Sequence, residues 1–235
     1  MKKIVCMVAV CLGTVGAYAQ AQTDSLRLFK LQEVVVKGVR AQKNAPFAVA
    51  NIKKAELSSF GKTGRELPFL FANTPGVLAW SENGTGIGTS HIRIRGAADS
   101  RINVTLDGVA LNSPEDECVF WANMNSYASL MGSAQIQRGV GTSTNGDGAF
   151  GGTISLATAA PSLTPSLEVN GGYGTYNSYN VGMNFSSGLL WNRLVFNGAY
   201  HESRTNGFMH GTAGRSGSYL GALTYYGDKF TLSYK

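Results

Sequence analysis

Charge is scarce in this sequence, and so are cysteine and long apolar runs. Lys, Arg, Asp and Glu together make up 14% of the 235 residues, against about 25% in a typical soluble domain. Two of the three cysteines, Cys6 and Cys11, fall at the extreme N-terminus. Cys118 is thereby left alone, with no internal disulfide partner and no CxxC metal spacing. No apolar run beyond the N-terminus approaches the roughly 18 residues that a membrane-crossing helix needs. Lys/Arg clusters are absent, so nucleic-acid binding is not expected. A GxSxG nucleophile motif is absent too, and no polar cluster reads as catalytic, so neither enzyme activity nor a bound cofactor is expected.

Glycine and aromatic residues are abundant instead. Thirty glycines without a G-X-Y period exclude collagen, and 10% aromatic content excludes a disordered chain. Few charges, many glycines and many tyrosines fit strand-rich, turn-rich structure. The N-terminus reads as an export signal: Lys2 and Lys3, an apolar stretch from Ile4 to Val15, then small residues at Ala17 and Ala19. Removing residues 1–19 leaves eighteen basic against fourteen acidic residues, a mild net +4.

Residues 20–46 read as a flexible segment holding one short β-branched run, 31–38. That run is either an edge strand of the following domain or a tethered peptide for another protein's sheet edge. Residues 47–160 read as one α+β domain. Helical turns are expected at Lys53–Leu57 and Thr63–Leu70, and a breaker at Asn73–Gly76. Strands are expected at His91–Gly96, Gln135–Arg138 and Thr153–Leu156, with a hairpin across Asp107–Gly108.

Residues 161–235 alternate strictly. Leu167, Val169 and Tyr173 share one strand face, and Val181, Met183 and Phe185 share another, opposite Asn180, Gly182, Asn184 and Ser186. A polar loop is expected from Ser203 to Ser216. Ten-residue segments of this kind suit an outer-membrane barrel or a soluble β-sandwich acting as a surface binding or adhesin module. Five segments cannot close a membrane barrel, so an N-terminal fragment of a longer protein is expected.

Taken in order, several stretches resemble the TonB-dependent outer-membrane receptors: Glu33-Val34-Val35-Val36-Lys37-Gly38, Thr74-Pro75-Gly76-Val77, Ile92-Arg93-Ile94-Arg95-Gly96, Val104-Thr105-Leu106-Asp107-Gly108-Val109, Ile136-Gln137-Arg138-Gly139-Val140-Gly141 and Gly148-Ala149-Phe150-Gly151-Gly152-Thr153-Ile154. The resemblance implies an α+β plug domain followed by the first antiparallel strands of an incomplete barrel in the outer membrane. It implies that Glu33, Val34, Val35, Val36 and Lys37 form a TonB box, recognised by TonB through strand addition. It also implies uptake of a scarce nutrient such as a siderophore–iron complex, haem or cobalamin, with a metal chelate favoured.

Arg93 and Arg95, two apart on one expected strand, are candidates for plug–barrel contact, with surface exposure as the alternative. His91, His201 and His210 fit no metal-site spacing. Glu115-Asp116-Glu117 reads as a solvated acidic loop, with cation binding as the alternative. Gly146 to Gly151 matches GxGxxG without the strand–turn–helix context of a dinucleotide site.

Overall fold

A computed structural model describes residues 40–41, 48–124, 126–140, 149–227 and 229–235. The export signal, the 31–38 run and the 146–148 portion of the GxGxxG stretch lie outside the described residues. The first domain begins with β1 (Ala48–Lys53), α1 (Lys54–Gly61) and α2 (Leu67–Phe71), followed by the hairpin of β2 (Val77–Ser81) and β3 (Ser90–Ile94). It continues with β4 (Ile102–Leu106), β5 (Val109–Ala110), β6 (Met131–Arg138) and β7 (Gly152–Thr158). One sheet has the order β1-β6-β7-β4-β5, with β4 and β7 parallel and the other pairs antiparallel. β2 and β3 form a separate two-stranded sheet.

Local chemistry explains the boundaries. Asp107 and Gly108 both take positive φ, 51° and 87°, as a two-residue turn matched to strand twist requires. The helix expected at Thr63–Leu70 is shorter than the sequence implies. Gly64 sits at φ 69°, which breaks helical geometry, and Pro68 fits only the first turn of α2. Ile92 and Ile94 point inward from β3 and join Leu57, Phe71, Trp121, Ile136 and Ile154 in the buried core. Phe71 meets Trp121 edge-on, with ring centroids 5.9 Å apart.

The second region is an antiparallel sheet in which each strand pairs with the next: β8 (Pro165–Gly174), β9 (Ser178–Ser187), β10 (Leu194–Thr205), β11 (Gly214–Tyr226) and β12 (Thr231–Tyr234). β10 extends through Thr205 and β11 starts at Gly214, so the loop expected at Ser203–Ser216 shrinks to residues 206–213. The Ser, Thr and Arg residues there alternate across a strand, which composition alone does not show. Strands of 10 to 13 residues from β8 to β11 are long enough to cross a bilayer at a tilt.

The faces of this sheet are inverted relative to a soluble protein. On β9, Asn180 and Ser186 are buried while Val181, Met183 and Phe185 are exposed. On β10, His201, Ser203 and Thr205 are buried while Phe196 and Tyr200 are exposed. A β-sandwich would bury the second set, so the geometry disfavours that alternative. The polar face packs on the α+β domain, and the apolar face is left outward.

Candidate functional site

Two features give the α+β domain chemical character: its seam with the strand sheet, and the rim formed by β2, β3 and their connecting loop.

The seam is polar on both sides. The Asn180 side-chain amide donates to the Lys62 carbonyl (2.8 Å), and Lys62 Nζ pairs with Glu168 Oε1 at 2.8 Å. The Ser216 hydroxyl donates to the Ala122 carbonyl (3.2 Å), and the Ser186 hydroxyl to the Ser162 carbonyl (3.0 Å). A cavity of about 250 Å³ lies along this seam, lined among others by Lys54, Ser58, Ser129, Asn184, Asn197 and Thr224. Leu130, Ala199 and Leu220 also line the cavity, so the two parts meet through a mixed boundary in which exchangeable hydrogen bonds supply the specific contacts. Asp107 contributes at one end. Burial opposes its charged form, but the N–H and hydroxyl of Thr158 and the Lys235 ammonium outweigh that, and its pKa falls below the ordinary value.

The rim is built on β-strand alternation. Leu78 and Trp80 on β2 face outward, and their direct partners on β3, Arg93 and His91, share that face. Trp80 stacks on His91 at 5.2 Å between ring centroids, and the Arg93 guanidinium lies 5.6 Å from the Trp80 ring. His91 also contacts Glu82 Oε1 (3.1 Å) and Asp99 Oδ2 (3.5 Å). The loop between the strands is closed by Asn83, whose amide donates to the Ile87 carbonyl while its oxygen accepts from the N–H and hydroxyl of Thr85. Phe208, on the 206–213 loop, donates its N–H to the Asn83 carbonyl (2.9 Å) and packs edge-on against Tyr176 at 5.5 Å. The rim thus presents aromatic surface, an arginine and two carboxylates at one end of the seam.

Beneath the rim lies Glu66, fully buried. It accepts from the Gly88 N–H (2.9 Å) and from the Ser90 hydroxyl, tying the start of α2 to the rim loop. Burial raises its pKa, against the opposing effects of those two hydrogen bonds and of nearby His91.

Opposite the rim in sequence, the segment entering the domain is stitched down. Arg40 donates Nη1 to the Ser133 hydroxyl (2.8 Å) and Nε to the Ser155 hydroxyl (3.2 Å). Its Nη2 reaches the carbonyls of Ser133 (3.3 Å) and Ser155 (3.0 Å). One guanidinium therefore bridges β6 and β7, while Ala41 exchanges two hydrogen bonds with the Gln135 side chain.

Only some of the expected site residues fall within the described residues. Glu33, Val34, Val35, Val36 and Lys37 lie outside the described residues. Arg93 and Arg95 do not share a strand face: β3 ends at Ile94, and Arg95 occupies a turn at φ 51°. Both are exposed, and among the described residues neither forms an ion pair. His201 is buried on the polar face of β10 against Asn184 (3.0 Å), and His210 is exposed on the 206–213 loop. The three histidines are not brought together, and no group of three His, Cys, Asp or Glu suited to a metal occurs among the described residues. Cys118 sits 3.6 Å from Asp99 Oδ1. Burial, then that carboxylate, Asp116 and Glu117, push its thiol up to about 11, which makes it a poor nucleophile. Sequence reasoning missed Arg40, Glu66 and Trp80. A lone arginine in a linker, a glutamate before Leu67-Pro68 and a tryptophan in an unassigned strand carry no pattern by themselves.

Residues 41–153 match the family model described as the TonB-dependent Receptor Plug Domain. No curated protein sequence matches the chain. Among solved structures, the pyoverdine outer membrane receptor FpvA from Pseudomonas aeruginosa is similar with a TM-score of 0.66 at 18% identity, over 80% of this chain and 27% of that one. The siderophore receptor PiuA from Acinetobacter baumannii aligns at 0.63 and 17% identity, over 86% and 28%. The ferric yersiniabactin uptake receptor FyuA from Yersinia pestis aligns at 0.56 and 20% identity, over 78% and 29%. The chain spans less than a third of the length of these structures.

Proposed function

We propose, from the plug-domain match over residues 41–153 and the shared fold, that the chain is part of a TonB-dependent outer-membrane receptor that captures a scarce nutrient of the siderophore–iron type and couples its import to TonB. The observation that carries this reading is the inverted sheet with the plug seated on its polar face. A plug whose specific contacts with its wall are exchangeable hydrogen bonds can be loosened without unfolding the wall. The rim supplies capture chemistry: the stacked face of Trp80 and His91 suits a planar chelating group, and the Arg93 guanidinium suits its anionic oxygens. The three solved relatives are named for siderophores or their uptake, which supports the same ligand class here.

Coupling falls to the other end. Glu33 to Lys37 can add as a strand to TonB through main-chain hydrogen bonds. Arg40, three residues beyond Lys37, passes tension directly to β6 and β7. The segment makes no demand on cofactors or covalent chemistry.

The test uses a full-length receptor carrying this chain, in an iron-starved Gram-negative host fed labelled ferric siderophores. Val35→Pro removes a main-chain donor and fixes φ, so energised uptake is lost while surface binding persists. Val35→Ala retains the donor and most of the uptake. Trp80→Ala gives the converse, weaker binding with coupling intact. Uptake at wild-type levels in both Val35 variants would show that Glu33–Lys37 is not the coupling site.

A further inference from the structure

Away from plug and rim, the outward face of the strand sheet carries a row of charge where an apolar band ends. The registers place Tyr173 opposite Tyr179, Tyr179 opposite Arg204, and Arg204 opposite Arg215. Four side chains on β8, β9, β10 and β11 thus form one lateral row on the face that also presents Val169, Met183, Phe185, Phe196 and Leu223. Tyr219, 89% exposed, lies on the same face directly opposite Tyr200, two same-face positions below the arginines. Tyrosines at such a level are amphipathic, with rings for the hydrocarbon edge and hydroxyls for the headgroups.

The charge in this row is unbalanced. Two arginines stand directly opposite each other, an arrangement that is unfavourable unless an anion lies between them. Glu202, one step along β10, neutralises Arg215 alone: its oxygens accept from Arg215 Nε (3.1 Å) and Nη2 (3.2 Å), from the Tyr179 hydroxyl (2.8 Å) and from the Tyr200 hydroxyl (2.8 Å). Arg204 is exposed and enters no ion pair among the described residues. Arg215 is engaged by Glu202 through Nε and Nη2, with its Nη1 edge uncommitted to Glu202. Two forked guanidinium groups, one engaged and one free, sit at the boundary of a lipid-facing surface.

We propose that Arg204 and Arg215 together hold the phosphate of a membrane lipid headgroup, so that the wall carries a phospholipid-type site independent of the nutrient. A planar guanidinium matches phosphate oxygens bidentately. The apolar rows on the same face would take the acyl chains, which is why a lipid rather than free phosphate is the occupant. Tyr179 and Tyr200 position Glu202, which in turn orients Arg215. The proposal rests on the reading of these strands as membrane-spanning.

Native mass spectrometry of the full-length receptor in detergent tests it, with phosphatidic acid as probe and diacylglycerol of the same chains as the phosphate-free comparison. Phosphatidic acid should be retained in preference to diacylglycerol, and Arg204→Gln should weaken its retention by about fivefold, the effect of one basic side chain at an anionic surface. Arg204→Lys keeps charge without the fork and should fall between. Arg101→Gln, a charge-matched change on the plug, should leave it unaltered. Equal retention by wild type and both Arg204 variants overturns the site, as does displacement by millimolar inorganic phosphate, which would mark a free-anion site. A wild-type receptor that shows no heat-modifiable migration overturns the membrane reading along with the proposal. An inserted receptor indifferent to Arg204 overturns the proposal alone.

Discussion

β7 and β9 are both strands with mixed apolar and polar residues, yet they solve opposite problems. β7 is buried from Gly152 through Ala157, with Ile154 and Leu156 in the plug core. β9 buries Asn180 and Ser186 and turns Val181, Met183 and Phe185 outward. In the plug, apolar side chains leave solvent by moving inward. In the wall they remain outside, where a bilayer can be the apolar phase. The lesson is that alternation identifies a strand with two unlike faces, and only the partner on each face decides which one is the interior.

The comparison breaks most visibly at large aromatic side chains. Phe71 is fully buried against Trp121, so Phe71→Ala should destabilise the plug by about 3–5 kcal/mol. Phe185 keeps 39% of its surface exposed and meets Phe196 at 6.1 Å, so Phe185→Ala should cost the wall well under half as much. Denaturant unfolding of the plug, followed by tryptophan fluorescence, and of the full receptor, followed by heat-modifiable migration, gives both values. Comparable losses at the two positions would mean that the outward face is covered by protein rather than lipid.

A charge placed on each face of the wall sharpens the contrast. Met183→Lys points into the bilayer and should cost about 2–4 kcal/mol near its midplane. Asn197→Lys points toward the seam cavity, where water and hydroxyls solvate the ammonium, and should cost less than about 1 kcal/mol. Barrel stability in vesicles measures both. Reversal of that order would exchange lumen and lipid faces and undo the membrane reading.

A smaller effect is expected where the wall packs against itself. His201 lies directly opposite Gly182, which in turn lies opposite Asn170. A Cβ at position 182 would collide with His201 Nδ1 and Asn170 Oδ1. Gly182 is therefore needed for close approach: the ring covers the bare backbone of its neighbour. Gly182→Ala should cost about 1–3 kcal/mol, and His201→Ala in the same molecule should recover part of it. Strict additivity of the two changes would show that the ring does not depend on the glycine.

Much of this architecture is legible in the residues. Asp107-Gly108 specifies its hairpin because both turn positions need positive φ, and the 167–185 alternation specifies paired strands with unlike faces. What is not legible depends on partners distant in sequence. Arg95 reads as a strand residue because Ile92-Arg93-Ile94-Arg95 alternates, but its backbone turns to donate to the Gly76 carbonyl at 2.7 Å, a contact that no local pattern encodes. Ser203 and Thr205 read as loop because they are polar, whereas their burial follows from packing against the plug. Arg40 has no local signal, since Ser133 and Ser155 are 93 and 115 residues away.

The smallest effect concerns Glu66, the buried carboxyl that has no counterpart in the wall's exposed ion pairs. Its folded-state pKa is raised, chiefly by burial, so the folded plug binds that proton more readily than the unfolded chain. Stability therefore rises as pH falls through the raised value, and the gain is complete below the ordinary value of 4.5. Asp107 has the opposite sign: its pKa is lowered from 3.8, so its contribution is lost only at still lower pH, and the two windows separate. Glu66→Gln preserves the geometry, because the amide oxygen can accept from the Gly88 N–H while the amide nitrogen donates to a Ser90 hydroxyl turned to accept. The variant should match or exceed the wild-type plug in stability at neutral pH, and the wild type should gain on it as pH approaches 4.5. Unfolding of both forms across that range provides the measurement. Parallel pH profiles would show that the Ser90 and Gly88 hydrogen bonds balance the burial of Glu66 and leave no shift, and a wild type that loses on the variant as pH falls would show that they outweigh it.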